Sequence, residues 1–185
     1  MDEKILHLTK EKMEKTIAAF RNELSKLRTG RASVSILDIV KVDYYGTQMP
    51  ISQLATVSVP EPRQILIAPW DKGSIPLIEK AIQKSDLGLN PNTDGAGIRL
   101  IIPQLTEERR KEYIKQLHKK AEEHRVAVRN IRRDANEHLK SLEKSSEASE
   151  DEVKRAQEQI QKATDKYVEQ IDQLTKSKEA ELMEV

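Results

Sequence analysis

All seven prolines of this 185-residue chain (50, 60, 62, 69, 76, 91 and 103) fall between positions 50 and 103, and all six glycines (30, 46, 73, 88, 95 and 97) between 30 and 97. In a helix interior Pro costs about 3 kcal/mol and Gly about 1 kcal/mol relative to Ala. Confining both to one stretch therefore maps the domains. Residues 1–29 and 105–185 are free to run as long helices, while residues 30–104 predict an inserted module of mixed structure.

The two ends carry the periodicity that this division requires. Leu6, Met13, Ile17, Phe20, Leu24 and Leu27 make one apolar stripe on a helix over residues 3–28, stopped by Thr29-Gly30. A second helix starts behind Thr106 as N-cap, with Glu107 and Glu108 in its first turn. Its stripe is Ile114, Leu117, Ala121, His124, Val128, Ile131, Ala135, His138 and Leu142. A third opens on a capping box, Ser149-Glu150-Asp151-Glu152, and continues through Val153, Ala156, Ile160, Ala163, Tyr167, Ile171 and Leu174. Three heptad-like stripes with one short polar loop (144–148) predict an elongated three-helix bundle. A helix from 106 to 142 would be about 55 Å long.

The middle reads as strands and turns. Ile39-Val40 with Val42 and Tyr44, then Val57 and Val59, then Ile65-Leu66-Ile67, then Ile98 with Leu100-Ile101-Ile102 are short apolar segments bounded by Pro or Gly. A short helix is expected from about Ser74 to Lys84, and a turn-rich loop over 88–97. The fold class is thus α+β with two domains, a small β/α/β domain inserted into a helical bundle. The insertion is tethered twice, at Thr29, Gly30, Arg31 and Ala32 and at Pro103, Gln104 and Leu105. Two crossings restrict twisting, so hinge-like motion along limited directions is expected there.

Composition narrows the function. Charged residues are 34% and aromatic ones 3%, which argues for a large solvated surface and against a large compact core. The chain has no cysteine, so disulfides, thiolate metal sites and Cys nucleophiles are excluded. No apolar run approaches the roughly 20 residues that span a bilayer. Met1-Asp2-Glu3-Lys4 leads into a charged amphipathic stretch without the apolar core of a secretory signal. A soluble cytoplasmic protein is expected.

Catalytic patterns are missing: no Walker lysine, no dinucleotide fingerprint, no nucleophile elbow, no zinc-protease helix. Asp94-Gly95-Ala96-Gly97 fits a plain turn. His118 and Glu122, four apart, lack a third metal ligand and read as an exposed pair. His124 and His138 read as ring-filling of the bundle seam. The expectation is a binding protein, not an enzyme, with no cofactor, no metal and no small-molecule substrate.

Charge placement says more. Residues 109–133 hold ten Lys/Arg against three acids, net +7, while 134–185 hold eight basic and fourteen acidic residues, net −6. Arg125, Arg129 and Arg132 each follow a stripe residue by one position, which makes a row beside the seam. Such a row, with Arg133, suits forked contacts to an RNA backbone. The alternative is a solvated face neutralised by the acids of the third helix. Tyr44-Tyr45 is too little for base stacking and reads as strand-end packing, so RNA contact would go to the backbone.

Several blocks now resemble the bacterial ribosome recycling factor family. They are Leu27-Arg28-Thr29-Gly30-Arg31-Ala32, Val42-Asp43-Tyr44-Tyr45-Gly46-Thr47, Ser85-Asp86-Leu87-Gly88-Leu89-Asn90-Pro91 and Leu105-Thr106-Glu107-Glu108-Arg109-Arg110-Lys111. The most specific is Arg125-Val126-Ala127-Val128-Arg129-Asn130-Ile131-Arg132-Arg133-Asp134-Ala135-Asn136; the tail Lys178-Glu179-Ala180-Glu181-Leu182 completes the set. The resemblance spans the whole chain. It implies an L-shaped protein with a flexible elbow, which acts with elongation factor G and its GTP hydrolysis to split post-termination ribosomes into subunits. It further implies that the bundle lies on large-subunit rRNA through Arg129, Arg132 and Arg133, with Arg125 in the same row. Arg28, Arg31 and Arg110 match family positions near the domain junction, where they either contact RNA or brace the elbow. The partners implied are the large ribosomal subunit and elongation factor G, for a protein monomeric in solution. Two rivals stay open: a coiled-coil structural or chaperone-like protein, and an enzyme with an unrecognised site in the middle module.

Overall fold

The computed structural model describes residues 2–184; Met1, part of the N-terminal stretch read for a signal, and Val185, the last residue of the expected bundle, lie outside the described residues. The chain divides into two compact units: residues up to Leu27 with Glu107–Glu184, and Arg28–Thr106. The crossing segments at 29–32 and 103–105 thus both belong to the second unit.

The first unit is three helices, α1 (Asp2–Ser25), α3 (Glu107–Lys144) and α4 (Glu150–Met183), each packed on the other two. Helix α2 lies in the inserted unit. At 38 residues α3 is about 57 Å long. Met13, Phe20, Leu117, Val128, Leu139 and Ile160 are fully buried along the seam. Each such side chain contributes about 2 kcal/mol of transfer free energy. His124 fills the seam as expected: its ring packs on Phe20 at 4.8 Å, and Nδ1 lies 2.6 Å from the Lys120 carbonyl. His138 does not. It is exposed, and Leu139 takes the buried place because the seam steps from Ala135 by four, not three. Helix α1 ends at Ser25, earlier than the stripe implied, and its buried positions include Ile5 and Thr9 in place of Leu6.

The helix ends follow local chemistry. Ser149 and Glu152 close the capping box in both directions, at 3.3 Å and 2.8 Å. Helix α3 ends without glycine: Ser146 adopts φ +58°, and the Glu147 and Ser146 amides donate to Leu142 and Glu143 carbonyls in a Schellman arrangement.

The second unit holds six strands and one α-helix: β1 (Lys41–Tyr44), β2 (Thr47–Pro50), β3 (Ala55–Glu61), β4 (Gln64–Pro69), α2 (Ile75–Lys84), β5 (Asn92–Asp94) and β6 (Gly97–Ile101). β1 and β2 form a hairpin, and the other four an antiparallel sheet in the order β3-β4-β6-β5. Ile39 and Val40 precede β1, with Ile39 ending a 3-10 turn. The loop expected at 88–97 contains β5, paired to β6 through Asn92↔Arg99. Ile78 and Ile82 of α2 bury against Ile65, Ile67, Ile98 and Leu100. Asp71 accepts from the Gly73 amide ahead of α2, and Pro76 sits in its first turn. Tyr44 packs on this core, but Tyr45 is 79% exposed at the hairpin tip, with φ +50°.

Two outcomes follow. Gly97 has φ +139°, and a Cβ there would stand 2.3 Å from the Ile67 carbonyl oxygen. Gly97→Ala should therefore destabilise the inserted unit by about 3 kcal/mol or more in urea unfolding, against about 0.5 kcal/mol or less for Gly95→Ala, which meets open space. Equal effects would remove the steric account. In the bundle, burial of Tyr167 and its hydrogen bond to Glu14 at 3.0 Å push the phenol up to about 12. Its unfolded value is about 10. The stability tied to the neutral phenol is full below pH of about 10 and is lost as pH rises through about 12. Unfolding measured over that window should show the parent losing stability relative to Tyr167→Phe.

Candidate nucleic-acid interface

Burial of Val128, Leu139 and Leu142 against α1 and α4 leaves the opposite side of α3 to solvent, and the cations lie there. Arg129, Asn130, Arg132, Arg133, Asn136, Glu137 and Lys140 line a shallow hollow of about 320 Å³. Arg129, Arg133, Asn136 and Lys140 step by four, three and four, so they share one helical row. That spacing was visible in the sequence; Asn136 and Lys140 were missed because the charge row was followed only to Arg133.

The arginines of the expected row differ in their partners. Arg125 is turned inward: Nε donates to Asp172 of α4 at 2.7 Å and Nη1 to Glu122 at 3.1 Å. Burial opposes its charge, but the hydrogen bonds to Asp172 and Glu122 outweigh it and hold the guanidinium above its usual pKa. At this position one acid of α4, Asp172, does neutralise the row, together with Glu122 of α3 itself. Arg129 makes a longer contact, 3.5 Å, to Glu122. Arg132 donates to the neutral Gln161 at 3.3 Å. Arg132, Arg133 and Lys140 have no acidic partner among the described residues. Without an ion pair, these cations are available to phosphate. Inside the hollow, the Asn136 Oδ1 atom is buried and has no hydrogen-bond partner among the described residues.

The remaining expected residues fall elsewhere. Arg28 donates to the Leu87 carbonyl at 3.3 Å and so braces the inserted unit. The Arg31 amide donates to the Thr29 hydroxyl at 3.4 Å, and the Ala32 amide to the Pro62 carbonyl at 2.7 Å. Gly30, with φ +80°, lies against Leu105: a Cβ there would be 3.6 Å from Leu105 Cγ. The two crossings, Thr29–Ala32 and Pro103–Leu105, thus run side by side. Arg110 Nε is buried without a hydrogen-bond partner among the described residues. His118 pairs with Glu179 of α4 at 3.5 Å and not with Glu122. Among the described residues no three His, Asp or Glu side chains are grouped to hold a metal, and no helix is long and apolar enough to cross a membrane.

Comparison with known proteins agrees across the chain's full length. The family model for ribosome recycling factor matches residues 20–183. The ribosome-recycling factor of Desulfitobacterium hafniense (strain Y51) is 57% identical over 181 residues, 98% of each chain. That of Bacillus subtilis (strain 168) is 56% identical over 185 residues, all of both. A solution structure of a ribosome recycling factor superposes with TM-score 0.79 at 48% identity, covering 100% of this chain and 98% of that one. Models of the T. thermophilus ribosome recycling factor and the E. coli elongation factor G bound to the E. coli post-termination complex give TM-score 0.67 at 44% identity, over the whole of both chains. With a family match over most of its length and relatives aligned end to end, this chain belongs to the ribosome recycling factor family.

Proposed function

We propose that this chain, with elongation factor G and GTP, splits post-termination ribosomes into subunits and frees them from mRNA for a new round of translation. It does so in the cytoplasm as a monomer, without a catalytic site or cofactor of its own. The observation that carries this reading is the hollow on α3, where Arg132, Arg133 and Lys140 form no ion pair among the described residues. Large-subunit rRNA phosphates supply the missing partner: Arg129, Arg132 and Arg133 fork onto the backbone, and Arg125, held by Asp172, positions the row. Arg28, Arg31 and Arg110 are assigned to the domain junction, Arg28 as a brace. The neighbouring T. thermophilus factor, bound beside elongation factor G on a post-termination complex, supports the choice of partners. A dimerising coiled coil fits less well, because Leu117, Val128, Leu139 and Ile160 are already buried within one chain.

Motion belongs to this reading. The crossings Thr29-Gly30-Arg31-Ala32 and Pro103-Gln104-Leu105 act as the hinge that lets the inserted domain respond to elongation factor G. The deciding experiment is conversion of purified post-termination complexes to subunits by this protein with elongation factor G and GTP. Absence of conversion would reject the proposal.

Two variants sharpen it. Arg132→Ala and Arg133→Ala should weaken large-subunit binding by about tenfold or more, through the loss of a charge-assisted hydrogen bond. Their stability should change by less than about 1 kcal/mol, and the salt dependence of binding should become shallower. Arg125→Ala should instead lower the bundle's thermal midpoint. Tight binding by Arg132→Ala together with a depressed midpoint would assign that residue to the fold. Gly30→Pro forces φ near −65° where the chain needs +80°. Recycling should fall while helix content by circular dichroism holds; unchanged recycling would remove the hinge from this crossing.

A further inference from the structure

The inserted unit carries a second cationic feature that no part of the rRNA reading uses. Between the β1–β2 hairpin and α2 lies a cleft of about 430 Å³, within the range of ligand-binding clefts. It is lined by the apolar Ile39, Val40, Leu77 and Ala81, the neutral polar Gln48 and Ser85, and the exposed Lys41, Lys80 and Lys84. Ile39 is 63% exposed, although Val40 beside it is buried to 1%. The packing that hides Val40 leaves an isoleucine in water without local need. None of the three lysines has an ion-pair partner among the described residues. The one acid lining the cleft, Asp43, already accepts from the Gly46 amide at 3.0 Å to hold the hairpin turn.

We propose that this cleft is a docking surface for an acidic protein segment that presents an aliphatic side chain to Ile39 and Leu77 and carboxylates to Lys41, Lys80 and Lys84. The chemistry favours protein over nucleic acid. An apolar floor gains from an aliphatic side chain and gives nothing to a phosphate backbone. The rim holds lysine only, without the arginine fork that matches phosphate on α3. Three like charges around one apolar patch also steer an oppositely charged partner to it.

The test uses the full-length, nitrogen-15-labelled chain and a synthetic helix-forming peptide rich in glutamate with a single leucine stripe. Two further probes are the same peptide with serine for leucine and a duplex RNA. The expected result is saturable amide shifts at Ile39, Lys41, Lys80, Ala81 and Lys84 with the leucine peptide. Affinity should drop by about tenfold or more in Lys80→Glu/Lys84→Glu, because rim charges of the partner then meet like charge, and similarly in Ile39→Asp. Both variants alter exposed positions, and dispersed amide spectra will show that they fold. The proposal is overturned if the leucine peptide leaves these residues unmoved. It is equally overturned if the serine peptide binds as well, which reduces the effect to diffuse charge, or if RNA shifts the same residues as strongly. Neither ribosomes nor GTP enter the assay, so its outcome is independent of the recycling activity.

Discussion

Burial of one apolar seam on α3 governs everything else in the bundle. A helix of 38 residues with so many cations is not held by its own propensity; it persists because Leu117, Ala121, Val128, Leu139 and Leu142 find partners on α1 and α4. Once those residues are turned inward, geometry decides where each arginine points. Of the arginines beside the seam, Arg125 reaches Asp172 on α4, whereas Arg132 reaches the neutral Gln161. Arg133, and Lys140 directly after Leu139, meet no acid among the described residues and remain charged in solvent. The proposed RNA surface thus depends on core packing, which turns these cations away from α1 and α4.

Much of this was legible in the amino-acid order. Segregation of proline and glycine marked the insertion because backbone cost acts locally and needs no partner. The capping box Ser149–Glu152 and the ring of His124 in the seam were legible for the same reason: a helix period states them directly. What could not be read depended on partners far along the chain. His138 and Leu139 both fit a three-or-four stepping rule, and only the faces of α1 and α4 choose Leu139. Strands β2 and β5 have little apolar content and exist because β1 and β6 pair with them. The division of labour along the arginine row turns on Asp172, 47 residues from Arg125. No local pattern contains that information.

The inserted unit shows a different logic. Its core is small and all-aliphatic, with Ile65, Ile67, Ile78, Ile82, Ile98 and Leu100 at its centre, and it tolerates little intrusion. The Ile67 carbonyl presses against Gly97, so close strand approach is part of how β4 and β6 stay in register. The exposed face keeps what the core did not require, including Tyr45 at a positive φ and Ile39 beside the lysines.

The adjacency of Gly30 and Leu105 has a consequence for synthesis. Helix α1 leaves the nascent-chain tunnel long before α3 and α4, its only packing partners in the bundle. The intervening unit has its entry and exit side by side, so it can close on itself as soon as Leu105 emerges. During that interval Met13, Ile17 and Phe20 of α1 have no seam to enter. The first helix to be made thus waits for the last two before its apolar face can be buried.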